Sequence, residues 1–146
     1  MNGQILELVK VIKISNGASA GTSAVNGTAV DMQQDGGYDG VAFVADLGTV
    51  VDACVLTLTP QQGEVSDGSD AAAISGAATA AITASTSSNK LMVTDTFRPT
   101  GRYVRPQLTR TAQNATVNTM LALLYRARSL PVSADSSVLG SKIAQA

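Results

Sequence analysis

The sequence predicts an all-β protein, built as an antiparallel β-sandwich or a small β-barrel with extended terminal arms. Short apolar segments rich in β-branched residues recur along the chain, and Gly, Asn, Asp and Pro separate them. Several of these segments alternate apolar and polar residues with a period of two, which is typical of half-buried strands. No amphipathic helical segment lies between them, so a parallel sheet of βαβ units is not predicted.

The length of 146 residues fits one compact domain. Residues 25–128 contain most of the predicted strands and form this β-rich domain. Residues 1–24 are predicted to hold an N-terminal strand and a flexible linker, because Gly, Ser and Ala dominate after residue 15. Residues 129–146 are mostly polar and contain Pro and Gly, so they are predicted to form an extended C-terminal arm.

The first predicted strand covers residues 5–14, where Val and Ile are frequent. The spacing of its apolar residues also fits a helix, so that alternative stays open. Asn26-Gly27 predicts a tight turn between two further strands. Residues 41–45 are almost wholly apolar and predict a central, buried strand.

Residues 52–59 alternate clearly and predict a strand with one face in the core. Cys54, Leu56 and Leu58 share that face, so Cys54 is interpreted as a small core residue and not as a reactive thiol. Pro60 is predicted to end the strand because it has no N–H to donate to a neighbour.

Residues 61–89 follow, and short strands are predicted within them around Ile74 and Ile82. Residues 90–97 form the next predicted strand. The turn residues at 98–101 indicate a hairpin that joins it to residues 102–110, and Pro106 predicts an edge position or a bulge there.

The last predicted strand covers residues 115–127, although its leucines would also suit one face of a helix. Strict alternation along this strand groups five residues on one face, namely Val117, Thr119, Leu121, Leu123 and Tyr125.

The composition argues against several chemistries. The chain has no His, so the most common proton-transfer side chain is absent, and its single Cys excludes an intramolecular disulfide framework. No enzyme activity, cofactor, metal or small-molecule substrate is therefore predicted. The net charge of −1 gives no overall attraction to nucleic acid or to anionic membranes. The N-terminus lacks the pattern of a secretory signal, and no apolar segment is long enough to span a bilayer.

Acidic residues near Gly at 31–39 and 67–70 raise the alternative of a Ca²⁺ site. Neither segment has the ligand spacing and terminal Glu of an EF-hand loop. Because Asp and Gly are both frequent in turns, ordinary turns explain the two segments, and no metal site is predicted.

Charge is separated along the chain. Residues 31–70 contain eight acidic residues and no Lys or Arg, whereas residues 90–128 contain seven basic residues and one Asp. The two blocks either pair within one molecule, or they join neighbouring subunits, a role that suits Arg. A single interleaved aromatic, Tyr103, is too few for a single-stranded nucleic-acid site. The candidate interface residues are Arg98, Arg102, Arg105, Arg110, Asp31, Asp35 and Asp39.

The C-terminal arm contains more apolar residues than a fully solvated tail needs, yet too few to fold alone. It is therefore either a frayed terminus or a segment that becomes ordered on a neighbouring subunit. The candidate contact residues in the arm are Leu130, Val132, Leu139 and Ile143.

Two regions of the chain are similar to a known group of proteins. Residues 28–60 and 90–131 resemble small virion proteins of tailed bacteriophages. The first region contains Val30-Asp-Met32, Tyr38-Asp-Gly-Val-Ala-Phe-Val-Ala-Asp-Leu-Gly48 and Ala53-Cys-Val-Leu-Thr-Leu-Thr59. The second contains Arg102-Tyr-Val-Arg-Pro106 and the strand ending Tyr125-Arg-Ala-Arg-Ser-Leu-Pro131. Within that group the chain is most like a capsid decoration (cement) protein.

This resemblance implies a non-enzymatic structural protein that binds and stabilises an icosahedral capsid. The expected partners are the major capsid protein and further copies of the chain, as a dimer or trimer. The expected location is the capsid surface, after synthesis in the host cytoplasm. The alternatives are a head–tail or tail adaptor and a carbohydrate- or receptor-binding β module, which would need an exposed aromatic platform.

Overall fold

A computed structural model describes residues 3–144, which form two antiparallel β-sheets packed face to face. The predicted all-β sandwich is confirmed. In chain order the elements are α1 Ile5–Leu8, β1 Lys10–Ser15, β2 Ala18–Gly21, β3 Val25–Asn26, β4 Val30–Asp31, a 3₁₀ turn Gln34–Gly36, β5 Tyr38–Val50, β6 Val55–Gly63, β7 Ala72–Ala73, β8 Ile82–Thr83, β9 Leu91–Phe97, β10 Tyr103–Thr111 and β11 Ala115–Ala127.

The first sheet has the order β1-β11-β5-β9, and β2 also pairs with β11. The second sheet places β10 and β6 at its centre, with β3 and β4 beside β10 and with β7 and β8 beside β6. β1 and β2 both pair with β11, β3 and β4 with β10, and β7 and β8 with β6. If each of these three couples is counted as one interrupted strand, the two sheets have four strands each, in the order of a double-sheet jelly roll. The predicted central position of residues 41–45 is confirmed, because β5 lies between β11 and β9.

The core lies between the two sheets. Cys54 is fully buried beside Leu56 and Leu58, so its interpretation as a core residue is confirmed. The largest buried side chains come from the central strands of both sheets, and they include Phe43, Leu47, Leu56, Leu58, Leu108, Met120 and Leu124. Few aromatic residues are needed, because small and branched side chains fill the space between the sheets.

The N-terminal segment differs from the prediction in two places. Residues 5–8 form the short helix α1, and the Gln4 N–H at its start donates to the Glu7 carboxylate over 2.9 Å. The predicted linker contains β2, which pairs with β11. Gly17 makes this pairing possible, because its φ is +88° and a Cβ there would lie 2.2 Å from the Val117 carbonyl oxygen.

The prediction that Pro60 ends its strand is wrong, because β6 continues to Gly63. Pro60 lies opposite Pro106 in the β6–β10 pair. Their carbonyls accept hydrogen bonds from outside this pair, from Ile74 and Gly27 respectively, each over 2.9 Å. In an antiparallel strand the nitrogen and the carbonyl of one residue point to the same side, so the two proline nitrogens also point away from the β6–β10 pair. The missing N–H groups therefore cost no hydrogen bond between these two strands.

The predicted tight turn at Asn26-Gly27 does not form a hairpin. Asn26-Gly27 does not join two paired strands, because β3 and β4 both pair with β10. The register along β10 shifts by one residue between them, so the predicted bulge at Pro106 lies in the neighbouring strand. Gly27 is needed there, since a Cβ would lie 2.8 Å from the Pro106 ring.

The predicted hairpin between residues 90–97 and 102–110 is wrong. β9 pairs with β5 in the first sheet, whereas β10 lies in the second sheet. The turn at 98–101 therefore crosses between the sheets, and Gln62 on β6 fixes it by accepting the Thr100 and Gly101 N–H groups at 2.9 and 3.1 Å. A local turn signal does not specify which sheet the following strand joins.

The strand at 115–127 is confirmed, but its predicted face is wrong after Val117. The register of β11 against β5 shifts on both sides of Val117, and Asn118 is the extra residue of a bulge. This bulge reverses the alternation, so Met120, Ala122 and Leu124 are buried. Leu121 and Leu123 consequently point to the outer side of the sheet.

Candidate functional site

The outer side of the first sheet carries a continuous set of apolar side chains, here called the outer face. It consists of the apolar outward residues of β11, β5 and β9, namely Leu121, Leu123, Val44, Ala42, Leu91, Val93 and Phe97, and Asp95 is the charged outward residue between Val93 and Phe97. The register places Leu121 beside Val44, and Val44 beside Val93, so the apolar surface crosses three strands. The exposed fractions are 61% for Leu91, 53% for Val93 and 48% for Phe97. Contiguous exposed apolar surface of this kind is typical of interaction sites.

Tyr125 borders the outer face and is held in one position. A Cβ on Gly40 would lie 2.1 Å from the ring carbon Cζ, so the ring covers this glycine directly. The Tyr125 hydroxyl donates to Asp95 over 2.6 Å. Burial, together with the hydrogen bond and the charge of Asp95, raises the pKa of Tyr125 to about 12.

Phe97 lies at the same end of the outer face as Tyr125, since both are neighbours of Gly40 in the register, and it is placed between two arginines. The guanidinium carbons of Arg98 and Arg126 are 5.1 and 5.2 Å from the centre of its ring, which is within cation–π distance. Both arginines have a φ of 52°, a conformation that is uncommon for residues other than Gly. Arg98, a predicted interface residue, thus contacts Phe97 of its own chain.

The predicted acidic residues pair with cations of the same chain. Asp31 accepts two hydrogen bonds from Arg102, at 3.0 and 2.8 Å, and this contact lowers the pKa of Asp31. Asp35 pairs with Lys10 at 2.6 Å.

Two further predicted residues also contact their own chain. Asp39 pairs with Arg128 at 3.1 Å, and Arg105 donates to Gln61 over 2.9 Å. Arg102–Asp31 and Arg128–Asp39 join the two charge blocks within one chain, as in the intramolecular alternative. A role of the predicted residues between subunits stays a prediction.

Arg110 is buried within its own chain. Its guanidinium donates to the carbonyls of Ser23 and Ser19, each over 2.7 Å, and to the carbonyl of Ala115. The side chain therefore holds β2 and the segment before β3 against the end of β11. Its predicted contact with a neighbouring subunit stays a prediction.

The C-terminal arm is extended and lies along α1 and β1. The Val132 N–H donates to the Glu7 carbonyl over 3.1 Å, and the Lys13 N–H donates to the Ser137 hydroxyl over 2.9 Å. Val132 is half-buried against the core, whereas Leu139 is fully exposed. Leu130 and Ile143 are also exposed, so three of the four predicted contact residues of the arm are available to another molecule.

A groove of about 310 Å³ separates the arm from the rest of the molecule. Its apolar lining comes from α1, β1 and the arm, and it includes Leu6, Val9, Val11, Val132, Val138 and Ile143. The groove therefore offers apolar contacts, with Lys10 as the charged residue at its wall.

The acidic turn at 64–70 satisfies its own backbone. Asp70 accepts the N–H groups of Glu64 and Val65 at 2.7 and 3.1 Å, and Asp67 accepts the N–H of Ser69 at 2.8 Å. The Ser69 hydroxyl, followed by its N–H, lowers the pKa of Asp67, and the Glu64 N–H is the main group that lowers the pKa of Asp70. Within residues 3–144, no group of three or more His, Cys, Asp and Glu side chains could hold a metal ion.

The three tyrosines do not form a shared platform for a sugar ring. Tyr38 is only 3% exposed, Tyr103 lies against Arg102 at 5.1 Å, and Tyr125 covers Gly40. In the part of the chain that the structure describes, no helix has the length and apolar character required to cross a membrane.

Comparison with known proteins identifies no family. No protein-family model matches the chain, and no curated protein matches it. One similar solved structure is that of Eiger TNF from S. frugiperda, which covers 93% of this chain and 99% of its own at 8% identity and a TM-score of 0.38. A similarity this low carries no argument about function, so the description of the fold rests on the strand order.

Proposed function

We propose that this chain is a non-enzymatic virion protein that binds the outside of an icosahedral bacteriophage capsid and stabilises it as a cement protein. Its partner is the major capsid protein, and it reaches the capsid surface after synthesis in the host cytoplasm. A protein that bridges two capsid subunits favours the assembled state, because it binds that state and not the separated subunits.

The observation that carries this proposal is the outer face. It exposes Leu91, Val93 and Phe97 on a rigid sheet, where a function based on chemistry would require reactive groups in a cleft. The centre of an interaction surface is typically poor in charged residues. Here Lys13 and Asp46 flank Leu121 and Leu91 in the register, at the margin of the apolar residues. Asp95 lies opposite Ala42, where it accepts the Tyr125 hydroxyl.

The C-terminal arm supports the same proposal. Leu139 and Ile143 lie at the exposed side of an extended segment, where they are available to a neighbouring capsid subunit. Burial of such side chains contributes roughly 1.5–3 kcal/mol each when it is complete. The arm and the outer face therefore provide two separate contact regions, as a bridging protein requires.

Cosedimentation with purified capsids that lack this protein tests the proposal. The wild-type chain is expected to sediment with the capsids, and cryo-EM is expected to place it on their outer surface. A double change of Val44→Gln and Leu121→Gln removes two adjacent apolar side chains of the outer face. It should weaken binding about tenfold or more, because each lost apolar contact costs roughly 1 kcal/mol.

The control is Val65→Gln with Ile82→Gln, which makes the same kind of change at two exposed apolar residues outside the outer face. This variant should bind capsids as the wild type does. Equal binding by both double variants would exclude the outer face as the binding surface. Failure of the wild-type chain to bind capsids, or density at the neck or tail only, would overturn the proposal.

A further inference from the structure

The two edges of the first sheet differ. The edge at β1 is covered by the C-terminal arm, where Ser137 accepts the N–H of Lys13. The edge at β9 is open, because within residues 3–144 no other strand pairs with β9 on the side away from β5. Its sequence, Leu91-Met-Val-Thr-Asp-Thr-Phe97, contains no Pro and no Lys to prevent pairing.

The hydrogen bonds to β5 identify which backbone groups of β9 are free. Leu47 donates to the Lys90 carbonyl over 3.0 Å, and the Arg98 N–H donates to the Asp39 carbonyl over 2.7 Å. Because bonded positions alternate along an antiparallel pair, the even-numbered residues between them bond to β5. The N–H and C=O groups of Leu91, Val93, Asp95 and Phe97 therefore point to the open edge.

The same strand contains two unsatisfied side chains. The hydroxyl oxygens of Thr94 and Thr96 are buried and have no hydrogen-bond partner. Buried polar atoms without a partner are rare in folded proteins, and each requires an explanation. Thr94 is the central residue of β9, so a second strand placed along the open edge would bring another side chain next to it.

We propose that two copies of this chain associate through the open edges of β9, which pair antiparallel about a two-fold axis at Thr94. Only this register pairs all seven residues of the strand. It places Leu91 opposite Phe97, Asp95 opposite Val93, and the two Thr94 hydroxyls opposite each other. Cross-strand Thr–Thr and apolar pairs stabilise a sheet, whereas a shift that placed Asp95 opposite Asp95 would oppose like charges.

The pairing has a structural consequence. The first sheets of the two copies join into one continuous sheet, and their outer faces become neighbours. This association does not depend on capsid binding, although it would present two outer faces to one partner. A two-fold contact uses the same residues on both copies, so it closes at the dimer and does not extend into a filament.

A disulfide test distinguishes this register from others. In the proposed dimer the two Thr94 residues form a non-hydrogen-bonded pair with Cα atoms about 4.5 Å apart, which is within the range of a disulfide. Thr94→Cys is therefore expected to give a covalent dimer under mild oxidation, seen on a non-reducing gel. The native Cys54 is fully buried and should not contribute.

Thr96→Cys is the matched control, because Thr96 lies on the same strand and the same side and is buried to a similar extent. In this register the two Thr96 residues are about 14 Å apart, beyond the reach of a disulfide. Efficient cross-linking of Thr96→Cys, or no cross-linking of Thr94→Cys, would overturn the proposal.

Sedimentation of the wild-type chain supplies a second, independent measurement. A dimer is expected, and a monomer or a trimer would contradict the proposal. Val93→Pro removes an N–H that points to the open edge without removing a bond to β5, and it should raise the dimer dissociation constant about tenfold or more. Val93→Thr keeps the N–H and should remain dimeric, and far-UV circular dichroism checks that both variants fold.

Discussion

At the scale of single residues, Tyr38 joins the buried core to a charged pair at the start of β5. Its ring is buried in the core, and its hydroxyl lies 3.4 Å from the Asp35 carboxylate. Asp35 in turn binds the buried Lys10. Burial is the main cause that raises the pKa of Tyr38 to about 12, and the negative charge of Asp35 adds to it.

This raised pKa predicts a loss of stability at high pH. The ordinary value for Tyr is 10.0, so between pH 10 and about 12 the unfolded chain releases the proton while the folded chain keeps it. The free energy of unfolding should therefore be unaffected below pH 10 and should fall as the pH rises from 10 to about 12.

Urea unfolding of the wild type and of Tyr38→Phe across this range checks the prediction. Phe cannot ionise, and the hydrogen bond that it loses is long, so the variant should fold at neutral pH and lose less stability in alkali. If the two proteins lose stability in parallel between pH 10 and 12, Tyr38 is not a cause of the alkaline effect.

At the scale of elements, local patterns predicted most strands and failed where a distant contact decides the outcome. The alternation of Cys54, Leu56 and Leu58 identified β6 and its buried face, because that pattern lies within one strand. Pro60 did not end β6, because its effect depends on Pro106 opposite it, which is distant in the sequence.

The outer face could be predicted only in part, for a similar reason. On β9, apolar residues occupy both odd and even positions, with Met92 facing inward and Leu91 and Val93 outward. This sequence pattern alone indicates a strand whose outer side is also apolar. On β11 the bulge at Asn118 reverses the alternation, and it depends on pairing with β5. The charge blocks gave no such signal, since their separation along the chain fits both intramolecular and intermolecular pairing.

The reversed alternation of β11 predicts unequal effects of two neighbouring substitutions. Leu124 is fully buried, so Leu124→Ala should destabilise the protein by about 2–5 kcal/mol through lost burial and a cavity. Leu123 points to the outer face and is half-buried, so Leu123→Ala should cost about 1 kcal/mol or less. Urea denaturation of both variants measures the difference. A larger cost for Leu123→Ala would mean that Leu123 is the buried residue, as strict alternation without a bulge predicts.

At the scale of the whole molecule, the ion pairs and the apolar surfaces have different roles. The pairs Arg102–Asp31 and Arg128–Asp39 join segments of one chain, and exposed pairs of this kind contribute little to stability. Two groups of exposed apolar side chains lie on the outer face and on the C-terminal arm, whereas others, such as Val65 and Ile82, are isolated. We therefore expect association with another molecule to depend on these two regions more than on the charge blocks.

The arm has two parts, and their contacts predict different effects of truncation. Val132 packs against the core and donates to Glu7, whereas the residues after 133 expose Leu139 and Ile143. A chain that ends at residue 133 keeps the Val132 contacts and loses the exposed hydrogen bond from the Lys13 N–H to the Ser137 hydroxyl. Its melting temperature should therefore fall by at most about 2 °C. A chain that ends at residue 129 loses roughly 1 kcal/mol of burial, which corresponds to about 2–4 °C.

Capsid binding should respond differently from stability. If Leu139 and Ile143 are buried on a capsid subunit, both truncated chains should bind at least about tenfold more weakly than the full chain, because both lack these side chains. The comparison therefore separates the two roles, since the chain ending at residue 133 should be stable yet weakly bound. Scanning calorimetry and capsid cosedimentation measure the two quantities, and undiminished binding by that chain would show that the arm after residue 133 makes no contact with the capsid.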